Sequence, residues 1–481
     1  MPEQFDVVVI GGGTAGLVTA SGCARLGRRV ALIEREALGG DCLWTGCVPT
    51  KALVASAKLA HQMRTAGAWG LEPHTPPINP KSIMDSMREV QRIAGKHDDP
   101  EKFRKLGIDV IEGTARLVSG NAVEVEVSGP PLTGQPRAAV LHLAAKDIVI
   151  ATGSRTAVPP IDGLTDFIDH VSFLKRDSFP QSVLILGGGY IGIEFAQIFR
   201  RLGCEVVVVE MLDDIIYKED PEVIASVRQI LREEGIEILT GWAVKSVNQK
   251  AVRIENKNGE SRELGVDQIF VASGRRGNSE NLGLEQAGVK VERSFVVVNK
   301  YLQTMAPRIW ACGDIHGHLQ FTHVAAYEAV KLVRNMLFPG LSAVNYHDVP
   351  WALYTDPEVG HIGMTEPEAR EKFGDIRIYK VEMADVDRAV VDRTTRGFVK
   401  FVCDRKGRIL GAHAVCANAS TLIEEIVLAR KKGVKIGELA QLVSAYPSLA
   451  DAVQKAASAY YQNLSGSWIG NLGRKIAAWS Q

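Results

Sequence analysis

The chain has 481 residues, of which 46% are apolar and 23% are charged, and its 56 lysines and arginines balance 56 aspartates and glutamates. This length predicts two to four domains, and the even charge balance argues against a nucleic-acid partner. No apolar run reaches the ~20 residues of a membrane-spanning helix, and residues 1–6 lack the basic flank of a signal peptide. We therefore expect a cytoplasmic protein without a transmembrane segment.

The first predicted unit is a strand, a glycine-rich turn and a helix. The apolar run 6–10 predicts a buried strand, and residues 17–26 predict a helix. The turn between them holds three spaced glycines, Gly11, Gly13 and Gly16. A second strand, 30–33, ends in Glu34. Such a unit brings backbone amides close to a pyrophosphate at a helix N-terminus, while the acidic side chain binds a ribose hydroxyl. The sequence therefore predicts a dinucleotide site here.

Two cysteines, Cys42 and Cys47, follow this unit. Five residues of regular helix would place their Cα atoms roughly 8.6 Å apart, beyond the ~7 Å limit of an unstrained disulfide, so the chain must turn between them. Gly46 supplies that freedom, and Pro49 suits the first turn of a following helix. Cys47 then lies at a helix N-terminus, where the dipole favours a thiolate. The alternatives are a structural disulfide or two small buried side chains, but the neighbouring fingerprint favours a redox dithiol.

The other cysteines are scattered, as is typical of a reducing compartment. None of them belongs to a cluster with metal-ligand spacing, so we expect no metal site. Between residues 52 and 103 we expect helices that are broken near 72–77, where prolines cluster. The alternation over 123–127 predicts a half-exposed strand, and residues 128–134 predict its turn.

The dinucleotide pattern is then repeated. A strand over 183–186 leads into three glycines with the same spacing, Gly187, Gly189 and Gly192. A second strand, 206–209, ends in Glu210. Two dinucleotide sites imply an electron donor and an acceptor, and we expect FAD at the copy beside the cysteines. We expect NADH rather than NADPH at the second copy, because the carboxylate of Glu210 repels a 2′-phosphate. The alternative is that Glu210 merely ends its strand.

With these motifs, the chain resembles the FAD-dependent pyridine nucleotide–disulfide oxidoreductases, the family of glutathione reductase, dihydrolipoamide dehydrogenase and mercuric reductase. The likeness covers nearly the full length and includes four further segments: 149–154, 271–276, 310–314, and 354–360 with 363–366. The last resembles the start of that family's dimerisation domain. The resemblance implies an α/β fold with two Rossmann-like dinucleotide-binding domains, a C-terminal α+β dimerisation domain, and a homodimer.

The resemblance also implies roles in the reaction. Cys42 becomes the interchange thiol that attacks the substrate, and Cys47 becomes the charge-transfer thiolate beside the flavin. Lys51 lies by the flavin and pairs with Glu194, with an ordinary surface ion pair as the alternative. Tyr190 covers the nicotinamide pocket or, alternatively, packs in the core.

Further cofactor contacts and a domain order follow from the resemblance. Asp314 hydrogen-bonds the ribityl chain of the flavin, and the other implied cofactor-binding residues are Gly113, Thr152, Gly153 and Gly274. The FAD-binding domain is interrupted and takes 1–155 and 278–345. The NAD(H)-binding domain takes 156–277, and the dimerisation domain takes 346–481.

The chain departs from the family pattern near its C-terminus. Disulfide reductases of this group usually carry His-Pro-Thr-x-x-Glu, and that histidine protonates the departing thiolate across the dimer. Here the corresponding run has Tyr446 and ends in Asp451. A phenol with a pKa near 10 is a poor general base at neutral pH. A tyrosine in this region is similar to the pattern of the mercuric reductase branch. The cysteine pair which that branch carries near its C-terminus is not found in this sequence. We expect the apolar tail 467–479 to pack on the partner subunit, with an interfacial helix as the alternative.

These observations predict a flavoenzyme that passes electrons from NADH through FAD to Cys42 and Cys47. Three acceptors stay open: a disulfide, a metal ion as in mercuric reductase-like enzymes, or a quinone reduced directly at the flavin. A hypothesis from another class is a flavin-based redox sensor or scaffold with negligible turnover.

Overall fold

The structure is a computed structural model that describes residues 3–128 and 140–465. Most of the predicted turn at 128–134 and the whole apolar tail at 467–479 lie outside the described residues. Within the described ranges, no helix combines the length and the apolarity needed to cross a bilayer.

The first sheet is built mainly from the N-terminal part of the chain. Its strands there are β1 (Glu3–Ile10), β2 (Val30–Glu34), β3 (Ile108–Ser119), β4 (Ala122–Val127) and β5 (Val140–Ile150). The helices of this part are α1 (Thr14–Arg25), α2 (Gly40–Trp44), α3 (Cys47–Arg64), α4 (Pro80–Gly95) and α5 (Pro100–Lys105). β1 pairs in parallel with β2 and β5, and β2 with β3, whereas β4 runs antiparallel between β3 and β5. Residues 72–77 are non-helical, as predicted.

The second sheet repeats the strand–turn–helix pattern. The chain forms β6 (Ser154–Thr156), α6 (His170–Phe173), β7 (Ser182–Leu186), α7 (Tyr190–Arg201), β8 (Glu205–Glu210), α8 (Pro221–Glu233) and β9 (Glu237–Thr240). It continues with β10 (Trp242–Asn248), β11 (Ala251–Asn256), β12 (Ser261–Gly265), β13 (Gln268–Val271) and β14 (Arg275–Gly277). The order β13-β7-β8-β9 is entirely parallel, and β10, β11 and β12 form a small antiparallel sheet. β6 and β14 pair with each other and bring the two ends of this segment together.

The chain then returns to the first sheet. After a short hairpin of β15 (Val291–Glu292) and β16 (Phe295–Val296), the strand β17 (Ile309–Ala311) pairs in parallel with β5. The helix α9 (Thr322–Leu337) follows and packs on α1. The parallel part of the first sheet therefore has the order β3-β2-β1-β5-β17, which is a doubly wound arrangement.

The C-terminal part forms an antiparallel sheet that is covered by helices. Its elements are β18 (Pro350–Leu353), β19 (Glu358–Gly363), α10 (Glu366–Phe373), β20 (Ile376–Glu382), α11 (Asp387–Val391), β21 (Phe398–Asp404), β22 (Ile409–Cys416), α12 (Ala419–Lys432), α13 (Ile436–Leu439) and α14 (Asp451–Ser465). The strand order is β18-β19-β22-β21-β20. The strand residues of β22 are all buried, so this sheet has its own apolar core.

Candidate functional site

The two glycine-rich turns have the same geometry. A Cβ atom added at Gly11, which has a φ of +108°, would lie 2.3 Å from the carbonyl oxygen of Ala151. A Cβ atom at Gly16 would lie 1.8 Å from the carbonyl oxygen of Gly11. The equivalent distances in the second turn, at Gly187 and Gly192, are 2.5 Å and 2.0 Å. Only glycine fits these four positions, because the backbone of the turn packs directly on the next strand connection and on itself.

Each turn ends in free helix amides and faces one carboxylate. Neither α1 nor α7 has a side-chain N-cap, because the capping residues are glycines, Gly13 and Gly189. The carboxylate of Glu34 accepts a hydrogen bond of 2.6 Å from the amide of Gly12. The carboxylate of Glu210 accepts one of 2.7 Å from the amide of Gly188. Amides at a helix N-terminus with an acid at the adjacent strand end fit the pyrophosphate and ribose of a dinucleotide, so both turns fit such a cofactor.

The chain between the two cysteines is interrupted, as predicted. α2 ends at Trp44, and α3 begins at Cys47 after a non-helical break at Thr45 and Gly46. A Cβ atom at Gly46 would lie 2.9 Å from the carbonyl oxygen of Asp41, which explains the glycine. Cys47 is thus the first residue of an 18-residue helix, where the amide dipoles stabilise a negative charge.

The surroundings of Cys47 favour its thiolate. The Cys42 thiol donates a hydrogen bond to the Cys47 sulfur, which together with the Thr322 hydroxyl and the charge of Lys51 lowers the pKa of Cys47 against the opposing effect of burial. The Thr322 hydroxyl oxygen lies 3.3 Å from the Cys47 sulfur. The same hydrogen bond, together with burial, raises the pKa of Cys42. The pair therefore holds one thiolate at Cys47 and one proton at Cys42.

In the other five cysteines, burial outweighs every neighbour that favours the thiolate. They are all buried, whereas Cys42 is half-buried and Cys47 is exposed: Cys23, Cys204, Cys312, Cys403 and Cys416. Burial raises the pKa of each of these five thiols. Because a thiolate is the reactive form, the chemistry of this chain concentrates on Cys42 and Cys47.

Lys51 connects the cysteine helix to the second glycine turn. Lys51 lies one helical turn after Cys47 on α3. Its Nζ atom lies 2.9 Å from the carboxylate of Glu194, which is the pair that the sequence predicted. Glu194 lies on α7, is buried, and also accepts a hydrogen bond from the amide of Tyr354. The pKa of Lys51 is raised, because the attraction of Glu194 exceeds the opposing effect of burial. Lys51 therefore stays protonated beside the dithiol, held by a buried carboxylate rather than on a helix surface.

A second charged network begins at Asp41, the residue before Cys42. Arg275 donates a hydrogen bond of 2.6 Å to the carboxylate of Asp41 and lies 3.7 Å from that of Asp314. Burial opposes ionisation of Asp41, but a hydrogen bond from His170 and the charge of Arg275 hold the pKa of Asp41 below its ordinary value. Asp314 accepts a hydrogen bond from the Ser154 hydroxyl, and burial raises the pKa of Asp314. This network ties the dithiol segment to β6, β14 and the turn after β17.

Tyr190 is the first residue of α7, and its hydroxyl has a fixed partner. It donates a hydrogen bond of 2.7 Å to the carboxylate of Glu219 and contacts the ring of Phe321 edge-on, with centroids 6.4 Å apart. Phe321 directly precedes Thr322, so the tyrosine ring lies beside the segment that contacts Cys47. Its side chain is half-buried and also packs against an apolar core cluster, so the alternative of a packing role stays open.

Of the remaining predicted cofactor residues, Gly113 lies within β3, Thr152 and Gly153 lie between β5 and β6, and Gly274 lies between β13 and β14. Thr152 donates a hydrogen bond to the carbonyl oxygen of Asn278, and Gly153 accepts one from the same residue's amide. The carbonyl oxygen of Gly274 accepts from Ala157. Gly113 follows Glu112, the residue that pairs in register with Glu34. Their cofactor contacts stay predictions.

Tyr446 and Asp451 lie in a polar cluster at the start of α14. The Tyr446 side chain is 74% exposed and donates a hydrogen bond of 2.9 Å to the carboxylate of Asp387. This contact raises the pKa of Tyr446. Asp451 pairs with Lys455 at 3.2 Å. Within the described part of one chain, Tyr446 hydrogen-bonds Asp387 and not the dithiol.

Several residues of the site escaped the sequence analysis. Asp41 precedes Cys42 directly, and Arg275 lies in the segment 271–276, so both had a local signal in a motif. Thr322 had none, because it reaches Cys47 across 275 positions of sequence. A buried group of Glu219, His361 and His413 was also missed, since it assembles from three distant segments.

Two sequence profiles match the chain. The profile described as Pyridine nucleotide-disulphide oxidoreductase matches residues 5–329. The profile described as the dimerisation domain of the same family matches residues 349–457.

Individual proteins match over nearly the whole chain. A mercuric reductase from Bacillus cereus is 31% identical over 470 residues, which cover 96% of this chain and 72% of that protein. A dihydrolipoyl dehydrogenase from Zymomonas mobilis is 33% identical over 471 residues, which cover 96% of this chain and 99% of that protein. Among solved structures, the Cu(II) complex of the HOCl-induced flavoprotein disulfide reductase RclA from Escherichia coli is similar, with 30% sequence identity and a TM-score of 0.82. The match covers 95% of this chain and 99% of the RclA chain.

Proposed function

Because the chain belongs to the pyridine nucleotide-disulphide oxidoreductase family, we propose that its Cys42 and Cys47 dithiol delivers electrons from NADH to a thiol-binding metal ion. The protein is an FAD-dependent oxidoreductase that uses a pyridine nucleotide, and its dimerisation domain indicates a homodimer. Membership in a family of enzymes favours catalysis over a redox sensor. The proposal includes the preference for NADH, the metal-ion acceptor, the roles of the site residues and the domain boundaries.

The residues around the dithiol support an ordered division of roles. FAD, when bound, supplies the two-electron step between the nicotinamide and the disulfide. The turn at Gly11 and the carboxylate of Glu34 would hold it. Cys47 keeps the thiolate, and Lys51 stabilises negative charge beside it. Cys42, which carries the proton, is the thiol that engages the acceptor and is deprotonated as it does so.

The observation that carries the metal-ion acceptor is Tyr446. A disulfide substrate releases a thiolate that must be protonated, and efficient disulfide reductases place an imidazole there. The pKa of Tyr446 is raised, so its phenol does not cycle as an acid and a base near neutral pH. A metal ion leaves no thiolate of its own, and two sulfur ligands suit a soft ion.

The reaction balances without any further reagent. With Cu(II), two ions each take one electron and become Cu(I), while the thiol–thiolate pair is oxidised to the disulfide and Cys42 releases its one proton. NADH then restores the dithiol. The mercuric reductase relative and the Cu(II) complex of RclA support a metal ion as the acceptor. The second candidate is a disulfide substrate, which the dihydrolipoyl dehydrogenase relative supports.

Location and domain order complete the proposal. A cytoplasmic location is supported by the five buried, unpaired cysteines, which suit a reducing compartment. The interrupted FAD-binding domain is supported by β17, which rejoins the first sheet after the second one. A preference for NADH is supported by Glu210, whose carboxylate is fixed at the end of β8.

The acceptor is tested by following NADH oxidation by the FAD-loaded dimer with Cu(II), Hg(II), lipoamide, glutathione disulfide and a naphthoquinone in parallel. We expect Cu(II) or Hg(II) to support turnover, and Cys42→Ser to abolish it. Turnover only with lipoamide or glutathione disulfide would replace the metal-ion proposal by the disulfide one.

The control variant is Cys204→Ala, which removes a buried thiol outside the site. It should keep its metal-dependent turnover, so that loss in Cys42→Ser reports on the dithiol. Quinone turnover that survives in Cys42→Ser would show that quinones react at the flavin without the dithiol.

A further inference from the structure

We propose that Glu219, His361 and His413 form a binding site for Zn²⁺ that is separate from the dithiol. One ligand atom of each residue lies within 4.8 Å of the others, and all three residues are buried. Glu219 lies just before α8, His361 lies on β19, and His413 lies on β22. The site therefore joins the second sheet's helical layer to the C-terminal sheet.

The two histidines face the same space because their strands are in register. His361 and His413 are directly opposite each other in the antiparallel pair of β19 and β22. Their rings meet edge-on, with centroids 4.7 Å apart. The indole ring of Trp351 stacks on His361 at 3.6 Å and fixes its orientation. Two imidazoles are thus held in place before any ligand arrives.

The Nε2 atom of each histidine hydrogen-bonds a backbone carbonyl oxygen, which leaves the Nδ1 atom for another partner. His361 Nε2 lies 2.9 Å from the carbonyl oxygen of Gly363, and His413 Nε2 lies 3.1 Å from that of Met364. A carbonyl oxygen only accepts, so both Nε2 atoms carry hydrogen. Metal-bound histidines show this pattern, because the second nitrogen donates to a carbonyl or carboxylate and fixes the tautomer.

The Nδ1 atom of His413 has no hydrogen-bond partner among the described residues, although its side chain is fully buried. A buried nitrogen lone pair without a donor costs free energy. A metal ion bound by this nitrogen removes that cost. This orphaned atom is the observation, independent of the cluster itself, that points to a ligand.

The carboxylate of Glu219 is arranged as a metal ligand would be. Its Oε1 atom accepts hydrogen bonds from Tyr190 at 2.7 Å and from Trp351 at 2.6 Å. Its Oε2 atom lies 2.9 Å from Nδ1 of His361. Among residues 3–128 and 140–465, the ion-pair partner of this buried carboxylate is His361 when that ring is protonated, and no lysine or arginine joins the pair. A divalent cation bound by Oε2 and by one nitrogen of each histidine takes the place of the proton that Glu219 and His361 otherwise share.

Two imidazoles and one carboxylate are a ligand set typical of Zn²⁺. Tetrahedral Zn²⁺, with bonds of ~2.0–2.1 Å, separates its ligand atoms by about 3.3 Å. The ligand atoms of Glu219 and His361 are 2.9 Å apart, near this spacing, and that of His413 lies within 4.8 Å of both. The bound ion would fix Glu219, and through it the hydroxyl of Tyr190.

The test measures zinc in the FAD-loaded dimer, produced with Zn²⁺ in the growth medium and dialysed against EDTA. We expect one zinc per flavin and an X-ray absorption spectrum with a nitrogen and oxygen shell at ~2.0–2.1 Å and no sulfur shell at ~2.3 Å. The double variant Cys42→Ser, Cys47→Ser should retain the zinc, because the dithiol is not the site.

Two variants of the site and one control decide the assignment. His413→Ala should lose the zinc, and so should Glu219→Gln, which keeps an acceptor for Tyr190 and Trp351 if the histidine variant fails to fold. His142→Ala, at an exposed histidine, should keep it. Equal zinc content in the wild type and Glu219→Gln, zinc-free wild-type protein, or a sulfur shell in the spectrum would each overturn the proposal.

Discussion

Three neighbours of Cys47 act on its charge in the same direction. The Cys42 thiol and the Thr322 hydroxyl donate to its sulfur, and Lys51 places a positive charge one turn away on α3. Each stabilises the thiolate over the thiol, as does the helix N-terminus. The effects of single residues are therefore separable by substitution.

Replacing Lys51 by methionine removes a positive charge and so disfavours the thiolate. The ordinary pKa of a cysteine is 9.0, and the pKa of Cys47 lies below it, so the thiolate persists as the pH falls below 9.0. We expect Lys51→Met to raise the midpoint of the long-wavelength thiolate–flavin absorbance by roughly one pH unit. The titration is made on enzyme reduced anaerobically by two electrons.

Lys58 supplies the matched control for this titration. It lies on the same helix but pairs with Asp356, at 3.1 Å. Lys58→Met should leave the midpoint where it is. An unchanged midpoint in Lys51→Met would show that Lys51 does not act on the ionisation of Cys47.

The proposed preference for NADH rests on the negative charge of Glu210. In Glu210→Gln the side chain keeps its size but no longer repels a 2′-phosphate, so we expect the ratio of kcat/KM for NADPH to that for NADH to rise about tenfold, or about 1.4 kcal/mol. Steady-state rates with both nucleotides measure it. Glu34→Gln, the equivalent change in the first turn, should lower the flavin content and leave the ratio unaltered. An unaltered ratio in Glu210→Gln would mean that the carboxylate only ends its strand.

At the scale of elements, the two strand–turn–helix units can be impaired one at a time. A Cβ atom at Gly192 would lie 2.0 Å from a backbone oxygen of its own turn, and one at Gly16 would lie 1.8 Å from its own. We expect Gly192→Ala to retain flavin but lose reduction by NADH, and Gly16→Ala to lose flavin. Flavin absorbance per chain and anaerobic NADH titration measure these outcomes. Loss of flavin from both variants would instead indicate general misfolding.

The sequence predicted those features that depend on residues close together in the chain. The strands that end in Glu34 and Glu210, and the break between the cysteines, each follow from residues a few positions apart, and the structure confirms them. Thr322 and the group of Glu219, His361 and His413 come together only through tertiary packing. No periodicity or spacing marks such residues, so the sequence could not predict them.

At the scale of the whole molecule, Tyr446 is exposed on the surface of one chain and lies within the segment that matches the dimerisation domain. Tyr446→His restores an imidazole where disulfide reductases of the family use one. If the side chain reaches the partner's dithiol, we expect turnover with lipoamide or glutathione disulfide to rise on the order of tenfold or more. Turnover with Cu(II) should change little, because that reaction needs no base for a departing thiolate.

Tyr446→Phe is the control for this prediction. It removes the hydroxyl and the hydrogen bond to Asp387 but adds no titratable group. Its disulfide turnover should stay at the wild-type level. Equal disulfide rates in the histidine and phenylalanine variants would show that this position takes no part in proton transfer.

The return of β17 to the edge of β5 has a consequence for biosynthesis. Ile309 pairs with Ile148 and Ala311 with Ile150, so one strand of the first sheet is supplied long after its neighbour. Until the ribosome has released residue 311, the nascent chain carries β5 with an open edge, able to pair with another chain. Fragments that stop at the end of the second sheet, near residue 277, are therefore expected to aggregate rather than to accumulate as a flavin-binding half-molecule.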